Sequence, residues 1–171
     1  MEISEIYRQW SEDPYFNEAT QKELIAIKDD SAAIRERFYT QLAFGTAGIR
    51  GIIGAGTNIY VVRRVSYGIA QLLKGKGNKA CEAGVVIAYD SRNMSREFAM
   101  EAASVYAGNG IKVYLHKDVC PVPILSFSVR NLGTAAGVMV TASHNPKEYN
   151  GYKAYGSDGA QLSPEDSKIV L

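Results

Sequence analysis

Three short strand candidates, "GVVIAYD", "IKVYLH" and "AAGVMVTA", the first and last of them nearly unbroken apolar runs, are separated by two segments of helical periodicity, "SREFAMEAASVYAGNG" and "VPILSFSVRNLG". No other feature of the chain restricts its fold so tightly. A strand with one wet face alternates apolar and polar residues, whereas a strand covered on both faces reads as a continuous apolar run. Such strands alternating with helices build a layered α/β structure, because each crossover helix packs back onto the sheet. The pattern begins earlier in the chain. "GIRGIIG" is a glycine-bracketed strand candidate, and "VVRRVSYGIAQLLK" predicts a helix with Val61, Val62, Val65, Ile69, Leu72 and Leu73 on one side. "GKGNK" reads as a turn. Ser95 is a candidate cap for the helix that Gly108 and Gly110 stop. The expected fold is α/β: a three-layer αβα domain with a mostly parallel mixed sheet.

Residues 1–40 differ in character and predict a helical leader to the α/β part at 41–171. Ile3, Ile6, Tyr7 and Trp10 follow the i, i+3, i+4, i+7 spacing of one buried helix stripe. "DPYFNEATQKELIAI" predicts a second helix with Asp13 as N-cap and Pro14 in the first helical position. "SAAIRERF" predicts a third, capped by Ser31.

Composition excludes several function classes. With 171 residues, 46% hydrophobic and 22% charged, the chain is long and apolar enough for one globular domain. Nineteen Lys and Arg against 18 Asp and Glu leave a net charge of +1, so nothing points to a nucleic acid or an anionic membrane as partner. No apolar run reaches the roughly 18 residues of a membrane span, and the acidic start "MEISEIYRQW" does not read as a signal peptide. Cys81 and Cys120 lack metal-ligand spacing and read as reduced thiols of a cytoplasmic protein.

Open α/β sheets place functional groups in loops past the carboxyl ends of their strands. Two polar segments fall there: "YDSR" at 89–92, and "TASHNPKEYNGYK" at 141–153. The second is either a surface loop built on Asn-Pro and Asn-Gly turns or a site. Ser143 and His144 are adjacent, and neighbours in an extended segment point to opposite sides, so adjacency implies no Ser-His nucleophile pair. G-x-S-x-G, Walker A and G-x-G-x-x-G patterns are all missing. "FGTAGIRG" combines three glycines with Arg50. Its backbone amides and guanidinium suit an anion such as phosphate, and equally suit a tight turn beside a solvated Arg. The residues alone describe an α/β domain with a phosphate-friendly polar site and leave the reaction open.

"TASHNPKEYNGYK" resembles the phosphoserine loop of the α-D-phosphohexomutases, the phosphoglucomutase and phosphomannomutase superfamily. "AYGSDGAQL" is also similar to that family, and "FGTAGIRG", "VIAYDSR" and "PVPILSFSVR" resemble further blocks in the same order. The resemblance runs from about residue 42 to 162. One departure is Val122, where the family usually has Thr.

The resemblance implies that Ser143 is the phosphorylated residue. A phosphoserine carries close to two negative charges and three acceptor oxygens, so it can donate a phosphoryl group and also bind Mg²⁺. It implies His144 and Lys153 as candidates for moving the sugar hydroxyl's proton, and Thr46, Arg50 and Asn145 as phosphate- or substrate-binding residues. The implied reaction exchanges a phosphoryl group between the C1 and C6 hydroxyls of a sugar phosphate, with Mg²⁺ as cofactor and glucose 1,6-bisphosphate as activator. Phosphoryl transfer of this kind needs alignment and charge neutralisation rather than covalent help.

Members of that superfamily have four domains around one cleft. Their D-G-D-x-D-R metal loop, in the second domain, does not occur here. "SPEDSKIVL" starts as a helix, with Ser163 as N-cap and Pro164 following, and stops after about two turns. The chain therefore reads as the N-terminal domain of a longer four-domain protein, inactive alone, whose partners are its remaining three domains and a sugar phosphate. Two other family reactions, phosphopentomutase and glucose 1,6-bisphosphate formation, and a non-catalytic sugar-phosphate-binding relic are the alternatives.

Overall fold

A computed structural model of the chain describes residues 2–38 and 48–170. The leader forms helices α1 (Ile3–Glu12), α2 (Glu18–Ala26) and α3 (Ser31–Phe38). Helix α1 buries Ile6 and Trp10, as its spacing predicts. Helix α2 begins later than Asp13 and Pro14 suggest: its cap is Asn17, whose Oδ1 accepts from the Thr20 amide at 2.9 Å. The aromatic packing decides this. Phe16 stacks on Trp10 with ring centroids 4.3 Å apart, and the Asn17 amide donates to the Tyr60 hydroxyl at 2.9 Å. Residues 13–16 must turn to reach those partners and so cannot be helical. Helix α3 is capped by Asp30 rather than Ser31, since Asp30 Oδ1 accepts from the Ala33 amide at 2.9 Å.

The α/β part then runs β1 (Ile49–Ile52), α4 (Ile59–Gly75), α5 (Asn78–Ala83), β2 (Val85–Tyr89), α6 (Ser95–Gly108), β3 (Val113–Leu115), α7 (Val122–Leu132), β4 (Ala136–Val140), β5 (Tyr149–Gly156) and α8 (Pro164–Ile169). Helix α4 is capped by Asn58 and buries the six apolar residues that its periodicity predicts. The turn expected over "GKGNK" is shorter than that: Gly77, at φ 95°, reverses the chain and α5 starts at Asn78. Ser95 opens α6 as its first helical residue rather than its cap, and its hydroxyl donates to Asp90 Oδ1 at 2.7 Å. Ser163 caps α8 as expected.

The five strands lie in the order β1-β5-β4-β2-β3. Strands β2, β3 and β4 pair in parallel, and β5 is antiparallel to both of its neighbours, β4 and β1. Four strands thus share one direction and β5 opposes them, which makes the sheet mixed. Strand β5 is the main departure from the loop that the sequence predicts over residues 141–153. The loop ends at Glu148, and Lys153 sits on a strand in register with Met139. "YNGYKAYG" hides its strand character behind an Asn-Gly pair. Gly151 is needed there because a Cβ would stand 2.4 Å from the Ile49 carbonyl oxygen and 3.0 Å from that of Thr141.

Alternate residues of each strand feed two cores. Val85, Ile87, Val138, Val140, Tyr152 and Ala154 face α4, α6 and the leader. Val86, Ala88, Met139 and Tyr155 face Leu125 and Val129 of α7. Helices therefore cover both sides of the sheet, giving the three layers. Within the first core a chain of hydroxyls is fully enclosed: Tyr152 Oη lies 2.9 Å from Ser66 Oγ and 2.8 Å from Tyr106 Oη. Burial pushes the ionisation of both phenols well above the ordinary tyrosine range. Cys81 and Cys120 are free thiols, and burial pushes that of Cys120 up. Among the described residues, no helix is long and apolar enough to cross a membrane.

Candidate functional site

Strands β2 and β4 are parallel neighbours, so the segments that leave their carboxyl ends, 90–94 and 141–148, lie side by side. Between them is a cavity of about 420 Å³, bordered by residues 90–93 and by Ser143, Asn145 and Lys147.

Ser143 is exposed and sits in the left-handed region at φ 58°. That conformation is unusual for a residue with a Cβ and persists only where the surroundings impose it. Two local bonds shape the turn: the Ser143 amide donates to Thr141 Oγ1 at 2.9 Å, and the Asn145 amide to the Ala142 carbonyl at 3.1 Å. The far end is tied to the leader, because the Tyr149 hydroxyl donates to Glu36 on α3. That bond to a carboxylate raises the Tyr149 pKa above the ordinary tyrosine value.

Arg92 reaches across from the neighbouring segment. Its Nη2 donates to the carbonyls of Ser143 (2.6 Å) and Asn145 (2.7 Å), and its Nη1 to those of Pro146 (2.9 Å) and Tyr149 (3.2 Å). Its Nε lies 3.5 Å from Asp90 Oδ2. Asp90 Oδ1 also accepts from the Arg92 amide at 3.0 Å. Buried Asn150 closes the assembly, donating to the Asn93 carbonyl (2.8 Å) and Ser95 Oγ (3.0 Å).

Of the residues singled out from the sequence, Ser143, His144 and Asn145 occupy the turn itself. Arg50 joins them from β1: it is exposed, and its Nη1 donates to Asn145 Oδ1 at 3.0 Å. Lys153 is half-buried on β5 and shares the sheet face of Gly151 and Tyr155. Among the described residues, no hydrogen bond joins His144 or Lys153 to Ser143. Thr46 lies outside the described residues. The sequence marks 89–92 as a polar segment but gives no role within it, so Arg92 and Asp90 are found only in three dimensions. The signal was faint, because the acceptors of Arg92 are main-chain carbonyls more than fifty positions away.

An exposed hydroxyl on this turn, with Arg50 bound to it, Lys147 in the same loop and Lys153 on the strand that follows, is suited to an anionic group on or near Ser143. A metal is suited less well to these residues alone. Among the described residues, no cluster of three His, Cys, Asp or Glu is placed to hold one. Asp90, the carboxylate beside the turn, is already engaged by Arg92 and Ser95.

Residues 41–171 match the model of a domain family described as phosphoglucomutase/phosphomannomutase, alpha/beta/alpha domain I. The phosphoglucomutase of Staphylococcus aureus (strain bovine RF122 / ET3-1) is 49% identical over 139 residues, which are 80% of this chain and 25% of that protein. The phosphoglucomutase of strain USA300 is equally similar. The chain thus spans about a quarter of the length of the curated relatives it matches. Among solved structures, a protein from Thermus thermophilus assigned as a phosphomannomutase superimposes with a TM-score of 0.69 at 37% identity, over 74% of this chain and 28% of that one. A phosphoglucomutase/phosphomannomutase family protein from Burkholderia thailandensis superimposes with a TM-score of 0.64 at 25% identity, over 76% and 29%.

Proposed function

The chain belongs to the phosphoglucomutase/phosphomannomutase family, and from that premise we propose that it is the phosphoserine-bearing first domain of a longer sugar-phosphate mutase, with Ser143 as the phosphoryl carrier. The observation that carries the reading is Ser143 itself: an exposed hydroxyl at φ 58°, at the carboxyl end of β4, with Arg50 and Arg92 engaged on its own turn.

In the proposed cycle, phospho-Ser143 gives its phosphoryl group to the free C6 hydroxyl of a sugar 1-phosphate. The P–O bond to Ser143 breaks, a P–O bond to the sugar forms, and the hydroxyl's proton passes to a base. The Ser143 oxygen takes up a proton as it leaves, and the products are an unmodified Ser143 and a sugar bisphosphate. After the sugar turns over, the Ser143 oxygen attacks the C1 phosphorus. A P–O bond to Ser143 forms, the P–O bond to C1 breaks, and the serine proton passes to a base. The C1 oxygen takes up a proton, and the sugar leaves as the 6-phosphate. His144 and Lys153 are the candidate proton carriers. Lys153 is half-buried on β5, the strand that follows this loop. Arg50, Asn145 and Thr46 are the candidate phosphate- or substrate-binding groups. Glucose 1,6-bisphosphate would prime Ser143 by donating either phosphoryl group.

Mg²⁺ would neutralise the transferring oxygens. This chain offers it a phosphoserine oxygen and no cluster of carboxylates among the described residues, so further ligands would come from elsewhere in the protein. The same holds for the sugar-binding groups, and residues 1–171 alone are expected to show no turnover.

The test uses the whole protein that contains this segment. It is incubated with glucose 1,6-bisphosphate, and phosphate is located by peptide mass spectrometry while steady-state rates are measured. The expected result is one phosphoryl group on Ser143 and loss of turnover in Ser143→Ala, because a shift of even about 1 Å in an in-line displacement costs about 100-fold. Near-normal turnover by Ser143→Ala, or phosphate on Thr141 or Ser157 instead, would overturn the assignment.

A further inference from the structure

Arg92 borders the cavity beside Ser143, where an arginine is readily taken for a phosphate ligand. Its geometry argues otherwise. A guanidinium has five N–H groups and no acceptor. The four on Nη1 and Nη2 are matched by four carbonyl oxygens at 2.6–3.2 Å, and Nε faces the Asp90 carboxylate at 3.5 Å. No donor is left for a ligand unless the turn is broken. Arg50 differs: it is exposed and bound to the turn through the Asn145 side chain.

We propose that Arg92 is the positioning residue of the Ser143 turn: its guanidinium gathers the carbonyls of Ser143, Asn145, Pro146 and Tyr149 and so fixes how the Ser143 side chain and the following amides face the substrate. The proposal rests on Ser143 as phosphoryl carrier. Four carbonyl oxygens converging on one point repel one another. A planar, permanently charged fork cancels that repulsion and meets all four at once, which the single nitrogen of a lysine does not. The consequence reaches the other side of the turn. Every described peptide bond is trans, and a planar trans peptide points its N–H opposite its carbonyl. Holding the Ser143 and Pro146 carbonyls on Arg92 therefore turns the amides of His144 and Lys147 away from it. Among the described residues, neither amide meets an acceptor of this chain. Two outward amides on a fixed turn are suited to an anion.

The clamp also accounts for the left-handed Ser143, since a strained residue needs surroundings that over-determine it. Arg92 seizes the carbonyl of that same residue. It is itself anchored through Asp90 to Ser95 at the start of α6, and Ser95 is held by Asn150 on β5. The turn is thereby referenced to the sheet rather than to solvent.

The experiment compares Arg92→Lys, Arg92→Ala and Arg50→Ala in the whole protein, with steady-state kinetics and amide hydrogen exchange of peptides covering 143–149. Arg92→Lys keeps the charge and loses the fork. It is expected to lower kcat by about 100-fold, the scale of a slight misplacement of the nucleophile. Its KM for the sugar monophosphate should stay within about threefold, while exchange in 143–149 accelerates. Arg50→Ala should mainly raise KM. Low-millimolar guanidinium should restore part of the kcat of Arg92→Ala, and methylammonium should not, which also shows that the variant is folded. Three results would overturn the proposal: a normal kcat with raised KM in Arg92→Lys, unchanged exchange in 143–149, or a lowered melting point with kcat intact below it. Should the unmodified protein take up no phosphoryl group at all, the functional reading fails, and the exchange measurement alone decides whether the clamp exists.

Discussion

Tyr152 sits in the middle of the enclosed hydroxyl chain, between Ser66 and Tyr106, and all three residues are 0% exposed. Replacing Tyr152 with Phe deletes one oxygen and leaves ring and volume unchanged, so the cost is that of the two hydrogen bonds. Ser66 lies on α4 and can swing its hydroxyl to the carbonyl one turn back, which limits its share to about 1 kcal/mol. The Tyr106 hydroxyl is bonded to Tyr152 and also meets Ser66, to which it can turn when the Tyr152 oxygen is gone, so its share is likewise about 1 kcal/mol. Tyr152→Phe should therefore destabilise the chain by about 2 kcal/mol. Tyr106→Phe, which leaves Tyr152 bonded to Ser66, should cost only about 1 kcal/mol. Each single change already breaks the Tyr106–Tyr152 bond, so the cost of the double variant should fall below the sum of the two. Urea unfolding followed by circular dichroism, with the slopes compared to confirm a common unfolded state, measures all three. A cost for Tyr152→Phe within about 0.5 kcal/mol of that for Tyr106→Phe would show that the chain is not a connected unit.

The same phenols predict alkaline sensitivity. Burial raises both above the ordinary tyrosine pKa of about 10, which they regain on unfolding, so their stabilisation is whole below about pH 10 and is lost as pH rises beyond it. The urea midpoint should fall above that pH, and less steeply in the Tyr106→Phe, Tyr152→Phe double variant; equal slopes would refute the assignment. Gly151→Ala would place a methyl group 2.4 Å from the Ile49 carbonyl and 2.9 Å from Arg50 Cβ, forcing β1 away from β5. It should cost about 3 kcal/mol, the upper range for overpacking, and loosen the Arg50–Asn145 contact; a neutral effect on melting would show that the strands yield freely.

The parts of the fold that announce themselves in the sequence are those whose period is set by burial. The α4 stripe, the apolar strands β2 and β4 and the Ile6–Trp10 face of α1 need no knowledge of their neighbours to be read. The misreadings fall where a neighbour decides. Asp13 and Pro14 resemble a helix start, but the pull of Trp10 and Tyr60 on residues 16 and 17 moves that start to Glu18. Strand β5 looks like a turn because the close approach of β1 and the Thr141 carbonyl requires Gly151 in its middle. In the site, the "TASHNPKEYNGYK" resemblance singled out Ser143, His144 and Asn145, which lie together on one turn. It could not show Arg92, whose partners are carbonyls that every residue possesses.

The Asn150–Gly151 pair has a consequence for how the protein ages. Asn-Gly is the dipeptide most prone to lose its side-chain ammonia, through attack by the glycine nitrogen on the asparagine side-chain carbonyl, followed by hydrolysis to aspartate or isoaspartate. In this fold the reaction is blocked. Asn150 is 0% exposed and its Nδ2 is held by Asn93 and Ser95. The Gly151 nitrogen donates its hydrogen to Asn150 Oδ1 at 2.7 Å, and β5 is pinned by a strand on either side. Only an opened sheet frees the pair to cyclise. A chain converted while open can no longer donate from position 150 to Asn93, and it returns with that tie broken. Deamidation at this peptide therefore records past unfolding, and its slow accumulation in stored protein measures how often β5 has left the sheet.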